Sequence, residues 1–252
     1  MEIQDSVAII TGGNRGIGEA FVRELLKCGA RRVYIGTRSL KAVESLSHEL
    51  GERAVAIKLD VTNQTDVQAA AMQCEDVSIV INNAGVFGDQ TLIGAEDMTT
   101  SRAEMDVNYF GVLSMCRTFA PILKNNGGGS IINILSSAGI VAVPNMGGYS
   151  PSKFAARALT TSVRAELMGQ GTHVGALIVG SVETRMSAHV KGQKESPSTV
   201  AKAGIKAIRA KISEMDTDTM AISLRASLAR DPHNLEKKMA ALLHVKSLST
   251  GL

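Results

Sequence analysis

Residues 7–28 constrain the fold more than any other part of the chain. Val7, Ala8, Ile9 and Ile10 form a short apolar run rich in β-branched residues, the pattern of a strand buried on both faces. The string Thr11-Gly12-Gly13-Asn14-Arg15-Gly16-Ile17-Gly18 follows at once, and helical periodicity runs from about Gly16 to Cys28. A glycine-rich turn from strand to helix lets the backbone approach a pyrophosphate without Cβ clashes. The start of the helix then points free N–H groups at the anion. A tight turn with packing glycines could use the same letters. Position gives the string its meaning, at the first βα turn of a parallel sheet.

The alternation continues along the chain. Further strands are predicted at residues 33–35, 54–58, 79–81, 131–135 and 173–179, with helices at about 40–50, 65–73, 101–123 and 149–168. Such βαβ units build an α/β fold, a doubly wound parallel sheet in a three-layer α/β/α arrangement. The 252 residues contain no linker rich in Pro, Gly or Ser, so a single domain over 1–252 is expected. After Thr184 the texture changes. Residues 187–198 are polar with glycine and proline and read as a mobile loop. Helices follow at about 198–210, 219–229 and 234–245, with a thin strand near 211–215. Residues 185–210 are therefore expected to form a substrate loop and 211–252 a divergent helical tail.

Several polar residues fall at strand ends or on one helix face. Asn82-Asn83-Ala84-Gly85 ends the fourth strand, and Ser136-Ser137 follows the fifth. Tyr149 and Lys153 lie one helical turn apart and share a face. A phenol with a pKa of about 10 is a poor base at neutral pH, but a nearby ammonium favours the phenolate and brings the pKa towards the working range. Asn108 sits in the middle of a predicted helix, where Asn is a mediocre choice.

Together these segments resemble the short-chain dehydrogenase/reductase family. Thr11 to Gly18 matches the family's TGxxxGIG at every fixed position, Asn82 to Gly85 matches NNAG, and Tyr149 with Lys153 matches YxxxK. Asn133-Ile134-Leu135-Ser136 aligns with NISS, and Val179-Gly180-Ser181-Val182-Glu183-Thr184 follows PGxVxT except that Val179 replaces the proline. The resemblance covers about residues 5–185. It implies a Rossmann-like oxidoreductase that transfers a hydride between nicotinamide and a carbonyl or alcohol. The implied catalytic group is Asn108, Ser136, Tyr149 and Lys153. Tyr149 would act as general acid or base, and Ser136 (with Ser137 as the alternative) would hold the substrate oxygen. Lys153 would also bind the nicotinamide ribose, and Asn108 would perturb its helix and position a proton-relaying water.

The resemblance also implies the cofactor contacts: Gly12, Asn14, Arg15, Gly16, Ile17 and Gly18 around the pyrophosphate; Asp60 and Val61 near the adenine; Asn83, Ala84 and Gly85 in the cleft; and Gly180, Val182 and Thr184 by the nicotinamide amide. NAD-specific sites place an acid about 20 residues past the glycines. Here Gly36-Thr37-Arg38 ends the second strand, and Thr37 stands where the acid would be. Arg38, with Arg15, is suited to a 2′-phosphate, so NADP(H) is the expected cofactor.

The composition narrows the partners. Basic residues are scattered and aromatics make up only 3% of the chain, which argues against a nucleic-acid surface. The three cysteines are far apart and no histidine pair has ligand spacing, so reduced thiols and no metal are expected. The N-terminus has no basic region of the signal-peptide kind, and no stretch reaches the roughly 18–20 apolar residues of a membrane span. A cytoplasmic protein is expected. The substrate should be a small hydrophobic carbonyl or alcohol, lined by Val86, Phe87, Ser137, Ala138 and residues 143–146, with Met146 and Met186 adaptable. The resemblance implies a homo-oligomer joined through helices 101–123 and 149–168, and the thin last strand leaves a tetramer contact in question. The rival reading is a catalytically silent cofactor-binding regulator or scaffold. A change at Tyr149 or Lys153 would have favoured it.

Overall fold

Seven parallel strands make one sheet: β1 (Val7–Thr11), β2 (Arg32–Thr37), β3 (Ala54–Lys58), β4 (Ile79–Asn82), β5 (Gly129–Ile134), β6 (Thr172–Ile178) and β7 (Glu214–Asp216). Their order is β3-β2-β1-β4-β5-β6-β7. The order reverses between β1 and β4, the place where open α/β sheets bind ligands beyond the carboxyl ends of their strands. The computed structural model describes residues 1–188 and 190–249. Residue 189 of the predicted loop and residues 250–252 of the predicted tail lie outside the described residues.

The continuous apolar strands are explained by two core layers. On one side Ala8, Ile10, Ile35 and Ile81 pack with Phe21 and Leu25 of α1 (Gly16–Lys27) and with Ile205 and Ile208 of α7 (Pro197–Ala210). On the other, Val7, Ile9, Tyr34 and Val80 pack with Val67 of α3 (Gln64–Gln73), Phe119 of α5 (Val112–Asn125) and Leu159 of α6 (Tyr149–Leu167). Alternate residues of β1 point to opposite layers, as the period-2 pleat requires, so every one of them is apolar up to Thr11. Helix α2 (Glu44–Leu50) covers the β2–β3 edge after a short 3-10 turn. A Cβ at Gly204 would overlap the Phe21 ring, so glycine lets α7 lie close on α1.

Two predicted elements differ in the structure. The helix predicted at 101–123 begins at Thr99 and is interrupted. Helix α4 (Thr99–Met105) leads into a π-helical turn, Asp106–Gly111, before α5 starts. The strand predicted near 211–215 lies at 214–216 and pairs Ala176 with Glu214 and Ile178 with Asp216. Its side chains are held by charge: Arg157 reaches Glu214 at 2.7 Å and Arg225 reaches Asp216 at 2.6 Å. The tail forms α8 (Thr219–Arg230) and α9 (Pro232–Ser249), and Leu235 is buried in a cluster with Ile140 and Val141. No helix among the described residues is long and apolar enough to cross a membrane.

Candidate active site

The glycine loop sits at the switch point and is tied to both neighbouring strands. Gly12 and Gly16 have φ of +63° and +55°, a region that favours glycine. A Cβ on Gly18 would run into the Gly12 carbonyl oxygen and Asn83 Nδ2. Gly13 N–H donates to the Gly36 carbonyl at 3.1 Å, joining the loop to the end of β2. Thr11 Oγ1 accepts the N–H groups of both Asn83 and Ala84 at 2.9 Å. Asn83 Nδ2 donates to the carbonyls of Thr11 and Gly12 at 3.0 and 3.1 Å. Arg15 stands at the N-cap of α1 and makes no side-chain cap bond, so the first N–H groups of α1 face the open end of the loop. Across it, a Cβ on Gly16 would lie 3.3 Å from Thr184 Cγ2.

At the ends of β2 and β3, Thr37 is buried and its hydroxyl engages Ser39, donating to the carbonyl at 3.1 Å and accepting from N–H at 3.3 Å. Arg38 and Arg15 are exposed on adjacent turns. Asp60 takes the Thr62 N–H at 3.0 Å and hydroxyl at 2.7 Å. Burial pushes its carboxyl up, but these bonds and the charges of Arg38 and Lys58 outweigh that and hold it below the usual range. Arg38 and Asp60 are thus electrostatic neighbours. Val61 is buried, and a Cβ at Gly111 of the π turn would lie 2.6 Å from its Cγ2.

The four predicted catalytic side chains converge at the carboxyl ends of β4 and β5. Tyr149 opens α6, and its ring packs edge to face on Phe87, with centroids 5.3 Å apart. The Ser136 side chain lies close enough to its hydroxyl to favour the ionised form. Ser137, in contrast, is buried in the turn, with its N–H on the Val179 carbonyl at 2.8 Å. Lys153 is 5% exposed, and its Nζ donates to the Ile134 carbonyl at 3.0 Å. Asn108, fully buried, binds both backbone groups of Val86: Oδ1 accepts its N–H and Nδ2 donates to its carbonyl, each at 3.0 Å. Nδ2 also donates to Ser152 Oγ at 3.0 Å. Turning Asn108 inward onto a neighbouring chain segment accompanies the widened π turn. A Cβ on Gly85 would lie 3.2 Å from Asn108 Oδ1 and 3.7 Å from Lys153 Nζ, so this glycine keeps the space between them open.

Burial, and not the ammonium, sets the direction in which the protein's own groups move the Tyr149 hydroxyl. Burial raises Tyr149 above its ordinary value; Ser136 lowers it only in part, and Glu104 adds to the rise. Burial brings Lys153 down to about 8. The ammonium lies over the face of the Tyr149 ring, 5.7 Å from its centroid, and is tied to the Ile134 carbonyl. The protein alone therefore does not pull the phenol down.

Sequence reasoning missed three supports. Thr11, inside the glycine motif, is the acceptor that fixes Asn83 and Ala84. Asn82, Asn133 and Thr160 form a buried chain across β4, β5 and α6, with links of 2.8 Å. Asp218 does two jobs from the tail: Oδ1 accepts the Ala221 N–H and caps α8, while Oδ2 accepts the Gly180 N–H at 2.7 Å. An Asp ahead of a helical run was the available signal for the cap. The bond to Gly180 braces the turn that lacks the family's proline. Asp218→Ala is expected to cost about 1–2 kcal/mol, seen as a lower midpoint in denaturant unfolding.

Comparisons with known proteins bear on the family and the fold. The short chain dehydrogenase family model matches residues 6–195. An NADP complex of a short chain dehydrogenase from Burkholderia cenocepacia superposes with a TM-score of 0.90 at 38% identity, over 95% of this chain and 99% of that one. An uncharacterized oxidoreductase of Staphylococcus saprophyticus is 32% identical over 81% of this chain and 86% of its own. A 3-alpha-(or 20-beta)-hydroxysteroid dehydrogenase of Mycobacterium bovis is 34% identical over 72% of this chain and 70% of its own. The family model spans the strands and loops that build the site, and this chain belongs to the short chain dehydrogenase family.

Proposed function

We propose that the protein is an NADPH-dependent oxidoreductase acting on a hydrophobic carbonyl or secondary alcohol, with Tyr149 as general acid or base. The observation that carries the reading is the convergence of Ser136, Tyr149 and Lys153 beside the glycine loop. The residues fit the dinucleotide. Positive φ at Gly12 and Gly16, uncapped N–H groups at the start of α1, and the gap kept by Gly85 make a cradle that side chains would otherwise fill. When bound, the nicotinamide supplies or accepts the hydride. The chain's own residues handle the oxygen and its proton. Ser136 Oγ accepts the Ala138 N–H at 3.1 Å, which turns its own hydrogen outward to donate to a substrate oxygen. Tyr149 then gives that oxygen a proton in reduction or takes one in oxidation. Lys153, fixed by Ile134, is placed to hold the ribose, and Asn108 holds the Val86 segment beside it.

The preference for NADPH rests on Arg38 and Arg15 and on the absence of an acid at Thr37; the Burkholderia relative was solved with NADP. Arg38→Ala is expected to raise the KM for NADPH about tenfold or more while changing that for NADH much less, as loss of a charge-assisted bond worth about 1.5–3 kcal/mol implies. Steady-state kinetics with both cofactors checks this. Residues 185–210 are proposed as the substrate loop, with Met146 and Met186 giving it adaptable apolar contacts. The hydroxysteroid relative handles a hydrophobic alcohol by its name, in keeping with this class.

A homodimer is proposed through the face where Met105, Tyr109 and Leu113 meet Ala155 and Ala158 in a groove of about 610 Å³. Phe110 and Phe154, on the same helical runs, are 54% and 38% exposed. The free thiols Cys28, Cys74 and Cys116 suit a reducing, cytoplasmic setting. The functional test is NADPH consumption with a panel of hydrophobic ketones and aldehydes. Turnover supports the reading. Tight NADPH binding without turnover means that the panel missed the substrate, whereas no binding of NADPH sinks the reading and revives the scaffold one.

A further inference from the structure

Glu104 on α4 is 2% exposed, and none of the ion pairs among the described residues includes it. A buried carboxylate without a cation is unusual and costly, so its surroundings need a reason. Oε1 accepts the N–H of Gly88, in the loop after β4, at 2.9 Å. Oε2 lies on the opposite side, where a Cβ on Gly148 would come within 2.8 Å of it. Gly148 is the residue before Tyr149 and the N-cap of α6, and it makes no side-chain cap bond. The carboxylate thus sits between the segment that carries Phe87 and the start of the helix that carries Tyr149. Phe87 and Tyr149 are themselves in ring contact.

We propose that Glu104 is a positioning residue of this site: its buried carboxylate, between the loop after β4 and the residue that precedes Tyr149, joins that loop to the start of α6 and tunes the acid–base chemistry of the Tyr149 hydroxyl. The effect is to keep Tyr149 in the form that donates a proton to a carbonyl. The inference rests on the reading of Tyr149 as acid or base given above. Among the described residues, the titratable groups near this corner are Tyr149 and Lys153 at the start of α6, Asp89 beside Gly88, and Arg102 and Asp106 on the helical run of Glu104. Asp89, Arg102 and Asp106 are exposed, whereas Tyr149 and Lys153 are buried. Burial raises Glu104 itself, and the Gly88 N–H offsets part of that. Like charges that share a buried corner raise one another, which matches the upward push on Tyr149 from Glu104.

The test is Glu104→Gln, which keeps the size and the acceptor for Gly88 but removes the charge. Glu104→Met, of similar volume with no polar atom, carries the same test if the amide is poorly tolerated. Two readouts are taken. One is the pH dependence of kcat/KM for oxidation of a hydrophobic secondary alcohol with NADP+, whose rising limb follows the Tyr149 phenolate. The other is the tyrosinate absorbance of Tyr149, obtained by subtracting the same titration of Tyr149→Phe; it needs no turnover. Without the Glu104 charge, both are expected to move to lower pH by about half a unit to one unit. An unshifted limb and an unshifted tyrosinate titration overturn the proposal, even if the rate falls. Full activity in Tyr149→Phe would instead sink the acid/base reading, and the tyrosinate titration would still decide the influence of Glu104.

Discussion

Tyr149→Phe is expected to lower kcat by about 10²–10⁴-fold, the range of a positioned general acid or base, with NADPH binding retained. Phenylalanine keeps the ring, the burial and the edge-to-face contact with Phe87. It removes only the hydroxyl and the influence of Ser136 on it. The loss therefore falls on the chemical step, and kcat and kcat/KM should drop together, the signature of an interaction made in the transition state. The chain contains no Trp, so binding can be followed by NADPH fluorescence without a protein donor. The pH dependence gives a second sign. Oxidation needs the phenolate, so its rate rises with pH through the elevated Tyr149 value, and this limb should vanish in the variant.

Gly18→Ala is expected to weaken NADPH binding by about tenfold or more, or roughly 1.4 kcal/mol, and to lower the melting temperature. The new methyl group would meet backbone on one side, the Gly12 carbonyl and Gly13 Cα, and the Asn83 amide on the other. Backbone cannot rotate aside as a flexible side chain can. Either the loop opens or Asn83 leaves its two carbonyl partners, and both disturb the cradle. Overpacking of this kind costs about 1–3 kcal/mol. Gly169→Ala is the control, because nothing lies within 4 Å of a Cβ there; its NADPH affinity should match that of the parent protein. Calorimetric binding and thermal melts on the pair separate a local steric effect from a general dislike of alanine.

The parts of the fold legible from sequence were those written in side-chain period. Strands β1 to β6 read as apolar runs because helices cover both faces of the sheet. The glycine loop read because its φ values and close approaches leave few residue choices. The resemblance supplied the grouping of Asn108 and Ser136 with the Tyr149–Lys153 helix face, three segments that meet only when the strand ends are aligned. What was hard to see depends on partners distant in the chain. Strand β7 is held by Arg157 and Arg225 against Glu214 and Asp216, so its apolar content is thin. The resemblance implied a perturbed helix at Asn108, but the contact with Val86 where the π turn arises is one that no helical pattern announces. Asp218 looks like an ordinary helix cap until its second oxygen is found on Gly180, 38 residues away. Glu104 looks like a solvated helix residue, and only the packing of α4 against the Gly88 loop and α6 shows that it is buried.

The central claim is hydride transfer from NADPH to a carbonyl at this site, and its most direct test follows the hydrogen itself. The protein is incubated with NADPH deuterated at the transferring position and a hydrophobic ketone from the panel that it consumes, and the product alcohol is analysed by mass spectrometry. The expected product carries one deuterium on the carbinol carbon, with label transfer lost in Tyr149→Phe. Alcohol without the label would contradict the account.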